Sequence, residues 1–208
     1  VIPRIFEEAN SFSENYAAVK YEGKWGIIDH DGNYLIPPKY QYALNFHQGL
    51  ACVKINDKWG YIDKTGAFAI PARYDYAGNF RKGTARVELD GKFGIIRQDG
   101  SFLINPQYDM LFNFSEGLAR FRQNGLWGFI NKENEKVIPA IYPDVGDFSN
   151  SLARVKAGGQ WGFVNALGEM AIEPDFDQAY DFREGLSRVR QGKQWGFIIY
   201  SPAGTKEV

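Results

Sequence analysis

The sequence predicts an all-β repeat protein, six 34-residue units of short hairpins stacked in a curved, solenoid-like array. A closed six-bladed, propeller-like ring with three-strand blades is the competing arrangement. Three observations lead there. Every tryptophan precedes a glycine at a fixed step: Trp25-Gly26, Trp59-Gly60, Trp127-Gly128, Trp161-Gly162 and Trp195-Gly196, with Phe93-Gly94 in the third place. Other columns keep the same step, with an aromatic at Phe6, Tyr40, Tyr74, Tyr108, Tyr142 and Phe176, and a phenylalanine at Phe12, Phe46, Phe80, Phe114, Phe148 and Phe182. The apolar runs are short, β-rich and separated by glycines and prolines, which argues against the helix pairs of other repeats of this length. The units run about 1–34, 35–68, 69–102, 103–136, 137–170 and 171–204 in a single domain, with no linker or shift in composition.

Within a unit the elements follow in order. "TARVELDGKFGII" places two apolar runs around Asp90-Gly91, a pair that favours the type I′ hairpin. Glu22-Gly23, Asn56-Asp57, Asn124-Gly125, Gly158-Gly159 and Gly192-Lys193 take its place elsewhere. A two-residue loop fixes the register: Glu88 faces Phe93, Val87 faces Gly94, Arg86 faces Ile95 and Ala85 faces Ile96. One face then carries Ala, Val, Gly and Ile, and the glycine leaves a gap for an aromatic of the Tyr40 or Phe46 type. The other carries Trp or Phe beside Lys20, Lys54, Glu88, Arg122, Lys156 or Arg190. A second turn falls at Asp31-Gly32, Thr65-Gly66, Asp99-Gly100 and Leu167-Gly168, with Asn134-Glu135 in the fourth unit. A third strand is predicted to stop at the proline of each unit (Pro3, Pro37, Pro71, Pro106, Pro139, Pro174), which removes a ladder donor. The rest, "KYQYALNF" and its equivalents, reads as irregular chain or one helical turn. One such unit buries too little to offset its own ordering entropy, so neighbours must cover one another.

Composition narrows function. A net charge of −1 supplies no field for nucleic acid or anionic membrane, so no nucleic-acid partner is expected. No apolar run is long enough to span a bilayer, and no basic-then-apolar leader opens the chain. The opening "VIPRIF" reads as the middle of a unit, as in a mature chain or a fragment, and the closing "AGTKEV" would run into it to complete one repeat. The single cysteine, Cys52, builds neither a disulfide framework nor a cysteine zinc site and leaves the compartment open: envelope, secreted and cytoplasmic locations are all compatible.

These residues resemble the WG-repeat (KWG-repeat) family of bacterial proteins. "YDMLFNFSEGLARF" and "LWGFIN" carry the likeness most fully, and it covers the whole chain. Departures are Phe93 for Trp, Asn15 and Ser151 for the loop glycine, and Arg97, Asn131, Asn165 and Ile199 for Asp. The resemblance implies a repetitive β scaffold, often joined to other domains, with no catalytic residue, cofactor or metal to carry over.

Binding residues are sought in two sets. Arg86, Arg120, Arg154 and Arg188 form a basic column that suits an anionic polymer, or else packs on aromatics with the stems laid along the surface. Tyr42, Tyr76 and Tyr180 lie at less regular positions and suit stacking on a sugar or a partner. The Trp-Gly pairs read as architecture, and Asp29, Asp31 and Asp63 as turn caps. The expected role is a non-enzymatic binding or scaffold module for a protein or polymer. The alternative is a carbohydrate or anionic cell-envelope glycan binder. The oligomeric state is left open.

Overall fold

The computed structural model describes residues 2, 4–201 and 204–207, so Pro3 of the proline column and much of the predicted join between the two ends lie outside the described residues. All described elements are β-strands, and none is a helix able to cross a membrane. They form six antiparallel sheets, one per repeat, five of four strands and one of three. The chain divides into two compact units, 1–107 and 108–208.

The first sheet shows the plan. A short outer strand, Glu8–Ala9, pairs with Ala17–Tyr21; that strand pairs with Lys24–Ile28, which in turn pairs with Tyr34–Tyr40. We call these the outer, alanine, tryptophan and proline strands. The predicted hairpin register is the observed one, with Glu88 opposite Phe93, Val87 opposite Gly94 and Ala85 opposite Ile96. Both residues of Glu22-Gly23, Asn56-Asp57, Asp90-Gly91, Asn124-Gly125 and Gly158-Gly159 have positive φ, as a type I′ turn requires.

Two expectations are corrected. The proline strand does not stop at proline. It runs seven residues, through Pro37 and Pro38 to Tyr40, because the proline sits in a bulge. Trp25 pairs with Tyr40 and Ile27 with Ile36, so one residue of the tryptophan strand, Gly26, faces the three residues 37–39. The same shift recurs at Trp59, Trp127 and Trp161. The gap over the glycine is therefore filled by this backbone rather than by an aromatic ring. A Cβ on Gly60 would lie 2.6 Å from the Ala72 nitrogen and 2.7 Å from the Ile70 oxygen. Second, "KYQYALNF" is not helical and only in part irregular. Tyr42–His47 forms the next outer strand, which turns into the alanine strand through Gln48-Gly49, both of positive φ, while its equivalents pair over two residues at Tyr76–Ala77, Met110–Leu111 and Gln178–Ala179. Four-strand sheets result, where the ring alternative had three strands.

The core lies between consecutive sheets. In the first unit Ala18, Ile27, Ile36 and Tyr40 of sheet one pack on Ala43, Phe46, Ala51, Val53 and Ile62 of sheet two. Sheet two meets sheet three through Tyr61, Ile70 and Tyr74 against Phe80, Ala85, Val87 and Ile96. In the second unit Phe129, Ile138 and Tyr142 meet Phe148, Val155 and Val164, and Trp161, Phe163 and Phe176 meet Phe182, Val189 and Ile198. Within each unit a sheet thus has a front face toward the next repeat and a back face toward the previous one. The back face of sheet one (Ala17, Val19, Ile28) is covered by Ile2 and Phe6.

Gly60→Ala should lower stability by about 1–3 kcal/mol, since the proline strand's backbone must move. Gly196, whose Cβ would meet nothing within 4 Å among the described residues, should accept alanine within about 0.5 kcal/mol. Urea midpoints at unchanged m check both, and equal losses would refute the bulge as the reason for the glycine.

Candidate functional site

The basic column emerges from the alanine strands on the front faces, where each arginine stacks on rings. The Arg86 guanidinium lies 4.9 Å from the Tyr76 ring centroid and 5.1 Å from that of Phe93. Arg120 lies 3.8 Å from Phe112 and 5.6 Å from Trp127. Arg154 lies 4.8 Å from Trp161, and Arg188 lies 4.1 Å from Tyr180 and 4.8 Å from Trp195. Desolvated cation–π contacts of this kind are each worth about 0.5–2 kcal/mol.

The arginines also reach into the next repeat. Arg120 Nη1 donates to the Val145 carbonyl at 3.2 Å, and its Nε lies 2.8 Å from Asp147 Oδ1. Arg154 repeats both contacts one unit on, donating to the Ala179 carbonyl at 3.0 Å and to Asp181 Oδ1 at 2.7 Å. In the second unit of the sequence Cys52 holds this place, and its thiol, pushed up in pKa by burial, donates to the Ala77 carbonyl at 3.4 Å. Arg120 and Arg154 are therefore joints between repeats. Arg188 stands at the same place in sheet six and is exposed.

A second polar joint was not foreseen. The Glu14 carboxylate accepts from the Gly49 N–H at 3.1 Å, Gln48 from Gly83 at 2.9 Å, and Glu116 from Asn150 and Ser151 at 2.9 and 2.8 Å. Ser13, Ser115 and Ser149 donate their hydroxyls to the carbonyls of Phe46, Phe148 and Phe182. The signal was present as Glu14, Gln48, Glu116, Asn150 and Glu184 just before the loop position at the 34-residue step, with Lys82 the exception.

The tyrosines divide. Tyr42 lies between Trp25 and Trp59, with centroids at 4.8 and 5.6 Å, and is 39% exposed. Tyr76 holds the same place in sheet three, 6.2 Å from Phe93. Tyr180 belongs to a different column, that of Leu44 and Phe112, and lies 6.2 Å from Trp195. Each sits on its own sheet. Asp29 and Asp63 cap the second turn: Asp63 Oδ1 accepts from the Thr65 hydroxyl and from the amides of Thr65 and Ala67. The Thr65 hydroxyl and these amides hold the Asp63 carboxyl below its usual range.

Arg154→Ala should cost about 1.5–3 kcal/mol of unfolding free energy, since it strands a carboxylate and a carbonyl. Arg154→Lys should recover only part, lacking the planar fork; a denaturant titration of both checks this. The Asp63 contribution is present above the ordinary aspartate pKa and is lost as pH falls through its depressed folded value. The stability gap between wild type and Asp63→Ala should accordingly close in acid, and a gap independent of pH would refute the assignment.

The comparisons with known proteins agree with this geometry. The family model described as "WG containing repeat" matches residues 1–25, 25–59, 59–93, 93–127, 127–161 and 161–195. No curated protein sequence matches the chain. Among solved structures, a eukaryotic initiation factor superposes with a TM-score of 0.58 at 13% identity, over 94% of this chain and 62% of that one. Kluyveromyces lactis Hsv2p superposes with a TM-score of 0.50 at 8% identity, over 95% and 76%. At such identities the likeness concerns the fold alone.

Proposed function

The chain belongs to the WG containing repeat family, and from that premise we propose a non-enzymatic binding or scaffold module that presents its outer strands to a protein partner. The observation that supports this is a contrast between columns. The Trp-Gly pairs repeat in type from unit to unit, with Phe93 the one exception. The outer-strand column beside them holds Tyr42, Tyr76, Met110, Asp144 and Gln178, four side-chain types at one backbone position, all exposed or half-buried. A rigid repeat with a varied solvent-facing column suits recognition of an irregular surface, as on a protein, better than of a uniform polymer. The glycan reading keeps one feature in its favour, the open Tyr42 ring held between Trp25 and Trp59.

Pull-downs from soluble extract and from cell-wall material, with wild type and the triple variant Tyr42→Ala/Tyr76→Ala/Met110→Ala, separate the two. The proposal expects a soluble protein retained by wild type and bound at least about tenfold more weakly by the variant, the loss of one hot-spot side chain's worth of energy. Retention by cell-wall glycan alone, lost on Tyr42→Ala, would replace it with the second reading.

A further inference from the structure

In sheets two, three, four and six a ring of the tryptophan column meets a ring on or just after the outer strand: Trp59 with Tyr42, Phe93 with Tyr76, Trp127 with Phe112 and Trp195 with Tyr180. Three of these pairs hold a guanidinium of their own sheet. Arg86 lies 4.9 and 5.1 Å from the two ring centroids of its pair, Arg120 3.8 and 5.6 Å, and Arg188 4.1 and 4.8 Å. The pair in sheet two is different. Its arginine place is held by Cys52, which is buried and turns its thiol to the Ala77 carbonyl. Lys54 faces both Tyr42 and Trp59 across the sheet, but its ammonium is drawn to the Asp57 carboxylate at 3.5 Å.

The rings of this pair are fixed and open. Trp25, 2% exposed, stands 4.8 Å from Tyr42 on one side and Trp59 stands 5.6 Å away on the other, so the order that a stacked ligand needs is already in place. Tyr42 stays exposed where Tyr76, beneath Arg86, is half-buried. Charge does not oppose a cation here. Lys54 and Lys58 are each held by a carboxylate, Asp57 and Asp75, which leaves the edge balanced. The chain's own pairs show which cation suits the rings. Over Trp161 the Arg154 guanidinium lies at 4.8 Å and the Lys156 ammonium at 5.9 Å. A guanidinium is planar and weakly hydrated, so it gives up less on stacking.

We propose that Tyr42 and Trp59 form a seat for an arginine side chain of a partner protein, which lays its guanidinium on the two rings as Arg86 does within sheet three. The incoming group approaches from solvent, because Cys52 and the half-buried Leu44 fill the inner side of the pair. That the arginine belongs to a protein rests on the reading of the outer strands as a protein-binding face; the preference for a guanidinium rests on the rings alone.

NMR titration of the 208-residue chain with a blocked Gly-Arg-Gly peptide, and with its citrulline and lysine counterparts, tests this. The arginine peptide should shift the Tyr42 ring and the Trp59 indole and leave Trp127, which has its own guanidinium, unmoved. Citrulline has nearly the same shape without the charge and should bind at least about fivefold more weakly, with lysine also weaker than arginine. Tyr42→Ala should abolish the Trp59 response, and Tyr42→Phe, which keeps the ring face, should retain it. An equal response to arginine and citrulline, shifts at Trp127 as large as those at Trp59, or no response overturns the seat. The pull-down keeps the two readings apart. A soluble protein held by the outer strands yet not released by the arginine peptide overturns the guanidinium seat alone. A Tyr42 pair that answers to arginine while no soluble protein is retained overturns the protein partner and leaves the seat.

Discussion

A glycine under a proline bulge is the constraint on which this structure depends. Three residues of the proline strand must pass over one residue of the tryptophan strand, and the crossing brings backbone within 2.4–2.6 Å of where a Cβ would stand. Only glycine fits. Proline is tolerated within the bulge because no ladder donor is needed there, which is why it moves freely between adjacent positions, as in Pro71 and Pro106. The bulge also turns the strand so that both of its ends are used. Its aromatic, such as Tyr40, pairs with the tryptophan, while its isoleucine, such as Ile36, reaches the turn glycine of the following repeat. One local crowding thus sets the sheet's edge and the contact between repeats.

This explains which parts of the fold were legible. The hairpin was, because Asp90-Gly91 and its equivalents are local and fix the register of every residue around them. The proline strand was not, because the rule that proline ends a ladder is also local, and the bulge that suspends it involves a glycine some ten residues away. The outer strand was missed for a related reason: the positive-φ pairs Gln48-Gly49 and Glu116-Gly117, which make the same kind of tight turn as the recognised hairpin, were not read as turns. At the candidate site, the stacking of arginines on aromatics followed from the shared face of the hairpin. Their carbonyl and carboxylate acceptors did not, since these belong to the next repeat, and a period shows that positions are equivalent without showing which ones touch.

Cohesion here is a nearest-neighbour property. A front face supplies Ile, an aromatic and a donor; a back face supplies Ala, Val, Phe and a carbonyl. Each interface is satisfied by the adjoining unit, so a substitution should act within one interface and add with substitutions elsewhere. The apolar part tolerates exchange, since Tyr61, Phe129 and Phe163 fill the same seat with different rings. Tyr61 shows the limit of that tolerance, because its buried hydroxyl must find an acceptor and does so at the Gly78 carbonyl, 2.6 Å away.

The polar part is less forgiving, and the chain records it. In the second unit the donor place holds arginine and the facing position one repeat on is aspartate, in Arg120 with Asp147 and in Arg154 with Asp181. Where that place holds Ala18 or Cys52, the facing position is Asn45 or Asn79, and Asn45 Oδ1 accepts from the Ala18 amide at 2.9 Å. Burial raises the Asp147 pKa and Arg120 works against that rise, so the carboxylate depends on its guanidinium to stay charged in the interface. An aspartate facing Cys52 would have no such partner and would carry the desolvation cost alone. Charge is therefore assigned to interfaces rather than to repeats: the two halves of each pair lie in different units, and exchanging one unit for another strands a half. In a chain whose apolar columns are almost interchangeable, these two pairs match the fourth repeat to the fifth and the fifth to the sixth.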